Sequence, residues 1–337
     1  MERIPISQEK AKKAIRQAPS SNIAKSVRRI YFTGLYESAE KRGYWHTDIM
    51  SGMGSGILIK FDNSFFLLTA KHVLKDLLKY NTENGEFPNE SPFWIDVCHK
   101  PNWDSLYDFL MPKRIWDIGQ LIKLDEKIVT SDVLLVELFP PAPLHFPDNF
   151  IDITEKSYFL EKSFFYTGQY LFLTGYPFEK NNYDWTVEVP NFTHGTKVHR
   201  VSYLGTFQDD SNIGFISFEI MDGEVTHENS KGMSGGVIYN VQENLNDIKL
   251  CGMILTASNN ICHFLPSYVL LDAIVNYKTV TPITVDPMAE QVINPKDRIN
   301  HIKEYYKTFT SSYQSSVGMY RQNIAKLKRK KRVKKKR

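Results

Sequence analysis

Eight short apolar runs, each bounded by turn-forming residues, limit this chain more than any other feature. They are GILIKF (56–61), FFLLTA (65–70), DVLLVELF (132–139), QYLFLTGY (169–176), VHRVSYLGTF (198–207), IGFISFEI (213–220), GVIYNV (236–241) and KLCGMIL (249–255). They are rich in β-branched and aromatic residues and too short for independent helices, which is how strands of an antiparallel protein look. Between them stand turn clusters such as Asp62-Asn63, Asp209-Asp210-Ser211-Asn212 and Asn244-Leu245-Asn246. Many strands with few intervening helices point to an all-β core, a barrel or sandwich, and away from a βαβ sheet. No internal repeat at a solenoid period is present.

Two helical signals follow. PSYVLLDAIVNY (266–277) has the opening and apolar spacing of one short helix. Asn294 and Pro295 make a good helix start, and Ile299, Ile302, Tyr306, Phe309, Tyr313, Val317, Tyr320 and Ile324 then recur at helical steps. This predicts an amphipathic helix over 295–325, after a linker at 278–294. With 337 residues, 42% of them hydrophobic and 24% charged, the chain holds one large core or two moderate ones and is no disordered protein.

No apolar run approaches the ~20 residues of a bilayer crossing, so no transmembrane segment is expected. The charged N-terminus MERIPISQEKAKKAIRQAPSS lacks a secretory apolar region. Three cysteines, Cys98, Cys251 and Cys262, are too few for a disulfide framework and lack the paired spacing of a zinc site. They read as reduced thiols in a cytoplasmic protein. The net charge of +4 hides an asymmetry: residues 326–337, KLKRKKRVKKKR, hold ten Lys and Arg and no acid. The remainder is mildly acidic. Such a tail reads as a disordered, solvated terminus, or as an electrostatic contact to nucleic acid or an anionic surface. No phosphate-cradling glycine pattern occurs elsewhere.

Three segments carry chemistry. Leu-Thr-Ala-Lys-His-Val-Leu (68–74) places His72 where an apolar strand ends. Ser-Asp-Val-Leu-Leu-Val-Glu-Leu (131–138) places Asp132 at the mouth of a buried strand. Lys-Gly-Met-Ser-Gly-Gly-Val-Ile (231–238) holds Ser234 between glycines just before another strand. A serine hydroxyl is a weak nucleophile until a base takes its proton, and a carboxylate behind an imidazole fixes the tautomer that can do so. Each residue alone has a plainer explanation: a histidine at a strand end, a turn-capping aspartate, a loop serine. Asp117, in Ile-Trp-Asp-Ile-Gly, is a rival to Asp132 for the carboxylate.

Taken in this order, the segments resemble those of trypsin-like (chymotrypsin-fold) serine peptidases, closest to the HtrA-like intracellular and periplasmic branch, here without a PDZ domain. Gly54-Ser55-Gly56-Ile57-Leu58-Ile59 is similar to the strand before the family's histidine. Thr174-Gly175-Tyr176-Pro177 resembles the opening of its second barrel, and Phe264-Leu265-Pro266-Ser267 its strand-to-helix exit. The likeness covers about 50–277.

The resemblance implies two antiparallel six-stranded barrels, a first at 46–165 with His72 and Asp132 and a second at 166–277 with Ser234. It places an N-terminal extension at 1–45 outside them. It implies peptide-bond cleavage by a His72–Asp132–Ser234 triad through an acyl-enzyme, with Gly232 and Ser234 as the oxyanion hole and no metal or organic cofactor. The loop 222–230 should line the specificity pocket; within it Glu228, six residues before Ser234, falls at the position that selects basic side chains in trypsin, and Gly252, Met253 and His263 fall on the pocket's other walls. Met233 stands where zymogens of the family carry an activating aspartate, so control must come from elsewhere. The expected partners are a protein or peptide substrate and a regulatory protein bound through 1–30 or 295–337, as in a stress or antiviral defence system. The alternative is an inactive scaffold of the same fold that captures peptides, tethered by its basic tail to nucleic acid or membrane.

Overall fold

The structure, a computed structural model, describes residues 8–32, 51–87, 93–97, 102–103, 109–122, 131–141, 149–155, 158–181, 194–195, 198–208, 216–286 and 326. The expected helix at 295–325 and the tail lie outside them, except for Lys326.

After a helix α1 (Gln8–Gln17) and a single turn α2 (Asn22–Lys25), strands β1 (Val27–Phe32), β2 (Ser51–Phe61) and β3 (Ser64–Thr69) follow in order. Helix α3 (Lys75–Asn84) precedes β4 (Phe93–Asp96), β5 (Asn102–Trp103), β6 (Phe109–Leu110), β7 (Pro112–Trp116), β8 (Leu134–Leu138) and β9 (Ile151–Asp152). The second half holds β10 (Tyr170–Gly175), β11 (His194–Gly195), β12 (Val201–Gln208), β13 (Ile216–Ile220), the turn α4 (His227–Ser230), β14 (Val237–Asn240), β15 (Leu250–Ser258) and β16 (Ile261–Pro266). Helix α5 (Ser267–Val275) and β17 (Ile283–Thr284) complete it.

The core is all-β, as expected, but its two halves differ. The second closes as a six-stranded barrel, β10-β12-β13-β16-β15-β14. The first is a curled sheet in the order β17-β7-β8-β3-β2-β1-β4-β6, with β9 beside β2, where a second closed barrel was expected. Only Met111 separates β6, at one end of this order, from β7, next to the other end. Among the described residues the hydrogen-bond ring of this half is not completed.

Alternation along each strand divides the core into three parts, because successive side chains point to opposite faces. Leu58 and Leu67 fill the curled sheet, whereas Ile57, Ile59, Phe66 and Leu68 face outward into an apolar layer between the halves. In the barrel, Leu171, Leu173 and Ile238 point inward, while Phe172, Val237 and Tyr239 join that shared layer. Cys251 and Cys262 are buried free thiols, and their burial pushes both thiol pKa values up.

Two boundaries differ from the sequence expectation. The N-terminal segment is part of the body. Ala18, Ile23 and Ala24 are buried in the shared layer, Arg200 donates to the Ala24 and Pro19 carbonyls at 3.1 and 3.0 Å, and β1 lies between β2 and β4. A mostly charged stretch with a few apolar residues on one face conceals such packing from its composition. The expected linker also returns to the sheet, where Ile283 pairs with Ile115 and Val285 is buried. Pro282 is tolerated because this strand lies at a sheet edge. Among the described residues no helix is long and apolar enough to cross a membrane.

Candidate active site

His72 sits in a 3₁₀ turn, Lys71–Leu74, that begins as soon as β3 ends. Its ring Nδ1 lies 2.6 Å from Asp132 Oδ2, and its backbone N–H donates to Asp132 Oδ1 at 2.8 Å. One carboxylate thus grips the imidazole and its own backbone, leaving the ring little freedom to turn. Burial alone pushes the Asp132 carboxyl up. The His72 ring and charge, with the His72 and Lys71 amides, outweigh that and hold it below its ordinary value.

Asp132 is held in turn by the loop at 117–121. The Gly119 amide donates to Val133 O at 3.2 Å, and a Cβ on Gly119 would stand 1.9 Å from Ser131 O. Only glycine permits that approach. Asp117 lies close by but serves a different partner, with Oδ2 2.5 Å from Lys71 Nζ and 3.2 Å from Gln120 Nε2. Of the two carboxylates, Asp132 is the one that contacts the imidazole.

Ser234 lies between Gly232 at φ +89° and Gly235 at φ +84°. The loop presses against the curled sheet: Ser55 N donates to Ser234 O at 3.1 Å, and a Cβ on Gly235 would come within 2.0 Å of Ser55 O. The Met233 amide donates to Ser230 O, the Gly235 amide to Ile254 O and the Gly236 amide to Met233 O. The Gly232 and Ser234 amides donate to no backbone carbonyl among the described residues. Met233 is buried in the barrel interior, an apolar anchor for the loop.

His72 and Ser234 line one cleft of about 360 Å³ together with Val73, His227, Ser230, Lys231, Gly232, Thr256 and Ala257. The Ser234 hydroxyl donates to Leu255 O at 2.8 Å. The β15–β16 register slips between Ile254 and Thr256, at Leu255 itself, as a bulge re-aiming a backbone group would.

The expected pocket walls fall elsewhere. Gly252 is wedged against Leu265 O, where a Cβ would approach to 2.3 Å, and Met253 is fully buried in the shared layer. His263 sits across from Thr256 in the register, one strand behind the cleft residues. The strand running past the cleft is the later part of β15, with Leu255 at the end of the run read as a strand in the sequence and Thr256 and Ala257 just beyond it.

Glu228 is fully exposed and paired with Lys231 at 2.7 Å, and that pairing lowers its pKa. It does not line the cleft. A capping box, with Asn229 N donating to Thr226 Oγ1 at 3.3 Å and Thr226 N to Asn229 Oδ1 at 2.8 Å, fixes the turn so that His227 and Ser230 face the cleft instead. Under the peptidase activity proposed below, replacing Glu228 by Gln is therefore expected to change the ratio of Arg to Ala cleavage at P1 by less than about threefold, as for an exposed ion pair. A tenfold loss of Arg cleavage in a fluorogenic peptide series would place the carboxylate in the pocket after all.

Ser55, Lys231, Leu255, Thr256 and Ala257 were not singled out as site residues from the sequence, whereas His227 and Ser230 belong to the 222–230 loop expected to line the pocket. Of the residues missed, Ser55 had a visible signal, between the glycines of Gly54-Ser55-Gly56. Among the described residues no three His, Cys, Asp or Glu side chains gather as a metal-ligand set.

No known family model matches the chain, and no curated protein sequence does. Among solved structures it is similar to a thermostable serine protease, AL20, from an extremophilic microorganism, with 12% identity and a TM-score of 0.44 over 77% of this chain and 99% of that one.

Proposed function

We propose that this chain is a serine endopeptidase that cleaves peptide bonds through an acyl-enzyme. The observation that carries the proposal is the two-point grip of Asp132 on His72 in the cleft that also holds Ser234. Asp132 keeps the proton on Nδ1, so Nε2 presents a lone pair. The Ser234 hydroxyl turns from Leu255 O toward it and gives up its proton as it attacks the substrate carbonyl. The Gly232 and Ser234 amides receive the developing oxyanion, and protonated His72 then returns its proton to the leaving amine. Water, deprotonated by His72, releases the acyl group.

The resting bond from Ser234 to Leu255 O supports a second element of the proposal, that cleavage is conditional. The nucleophile is parked on a carbonyl, and a bound substrate or partner protein supplies the reason to turn. A cytoplasmic peptidase of a stress or antiviral defence system would need such control.

Fluorophosphonate labelling tests the activity. The expected result is covalent labelling of the wild type that disappears in both Ser234→Ala and His72→Ala. A wild type that stays unlabelled, alone and with candidate partners, would favour the peptide-binding scaffold.

A further inference from the structure

We infer that Ser55 is a positioning residue for the oxyanion amides: its buried hydroxyl locks the peptide between Gly232 and Met233, across the junction of the two halves. This rests on the peptidase activity proposed above.

Ser55 lies on β2 of the curled sheet and is fully buried. Its Oγ accepts a hydrogen bond from the Tyr176 amide at 2.9 Å and lies 2.8 Å from Gly232 O. An amide can only donate and a hydroxyl has one proton, so that proton points at the Gly232 carbonyl. The other end of the same peptide is also tied, because Met233 N–H donates to Ser230 O at 3.0 Å. A peptide group is a rigid plane. Bonded at both ends, it cannot turn over.

The lock is needed because Gly232 has no Cβ to restrain it. At φ +89° it lies in a region that glycine enters and leaves at little cost. If the Gly232 carbonyl were released, the plane would be free to turn about its bonds to Gly232 and Met233, and the two flanking peptides, which carry the Gly232 and Ser234 N–H groups, would lose the support that fixes their orientation. The Ser55 main chain holds the far side of the nucleophile, through Ser55 N to Ser234 O at 3.1 Å, and is itself fixed by Thr69 Oγ1 on Ser55 O at 2.7 Å. Ser55 does not line the cleft. It acts only through Gly232 and Ser234, and it registers the sheet that bears His72 and Asp132 against the barrel that bears Ser234.

The experiment uses the full chain and the fluorophosphonate probe, whose attack by serine also builds negative charge on an oxygen in the oxyanion position. In Ser55→Ala the labelling rate constant is expected to fall about 10- to 100-fold, less than for removing an oxyanion donor outright. The final labelled fraction should stay near that of the wild type, and a peptide aldehyde inhibitor should weaken by the same factor as the rate. A merely structural role would lower the labelled fraction and the thermal midpoint while leaving the rate constant of the surviving sites unchanged, and that result would overturn the inference. Should Ser55→Ala fail to fold, Ser55→Cys keeps the volume with a poorer donor, and the same two readouts apply. An unlabelled wild type would instead fail the peptidase proposal itself, which separates the two outcomes.

Discussion

Asp132→Asn is expected to fold and to label with fluorophosphonate roughly 10,000-fold more slowly than the wild type, the scale on which triads lose activity when the carboxylate becomes an amide. The carboxylate now accepts from two His72 donors, Nδ1–H at 2.6 Å and the amide at 2.8 Å. An asparagine has one oxygen. If that oxygen keeps the amide, its NH₂ faces Nδ1 and forces the ring proton onto Nε2, where it blocks acceptance of the serine proton. Labelling within tenfold of the wild type would show that Asp132 does not set the tautomer.

The same substitution has a signature in stability. The Asp132 carboxyl is held below its ordinary value of about 3.9, so the stability it contributes is complete above that pH. It is lost as pH falls through the lower, folded-state value, because the unfolded chain takes up the proton first. The difference in unfolding free energy between wild type and Asp132→Asn is therefore expected to shrink below about pH 4. Urea unfolding measured across pH 2.5–7 reads this directly, and a constant difference would contradict it.

Gly235→Ala is expected to be the most damaging single-methyl change in the nucleophile loop. Leaving aside any relaxation, the left-handed backbone costs about 1–2 kcal/mol for a residue with a Cβ. The methyl would also stand 2.0 Å from Ser55 O and 2.6 Å from Thr69 Oγ1, a backbone atom and a tied hydroxyl with no room to retreat, at a further cost of about 1–3 kcal/mol. The loop must lift off β2, so labelling should also fall below about 1% of wild type, since a 1 Å misplacement near the chemistry already costs on the order of 100-fold. Gly85 supplies the control. It has φ +78° with nothing within 4 Å of an added Cβ, so Gly85→Ala should show the backbone cost alone and full labelling. Equal midpoints for the two variants in thermal unfolding would mean that the contact with Ser55 is not limiting.

The segments bearing His72, Asp132 and Ser234 stood out without coordinates through their order along the chain and their resemblance to trypsin-like serine peptidases, since each local signature alone is weak. A strand that ends in a turn, a buried apolar run with one acid at its mouth, and a serine among glycines are all written in consecutive residues. The turn at Asp62-Asn63 is of the same kind, and both residues adopt the positive φ that such residues tolerate. The alternation that sorts Leu58 and Leu67 from Ile57, Ile59, Phe66 and Leu68 is also visible along the chain, although not which layer each face would meet.

What the chain order could not supply is everything settled by contact between distant segments. The slip at Leu255 is a matter of register between β15 and β16, and it moves the cleft wall from Gly252 and Met253 to Thr256 and Ala257. Glu228 and Lys231 are neighbours in any short helix, yet only the capped orientation of that turn sends the acid to solvent and His227 to the cleft. Ala18, Ile23 and Ala24 resemble any apolar residues in a charged leader until the two halves form the layer that buries them. Ser55 belongs here too: its worth lies in a carbonyl 177 residues away, brought to 2.8 Å only when sheet and barrel pack together. Local propensity and pattern act over a few residues, whereas register, orientation and burial are set by surfaces that meet only in the folded molecule.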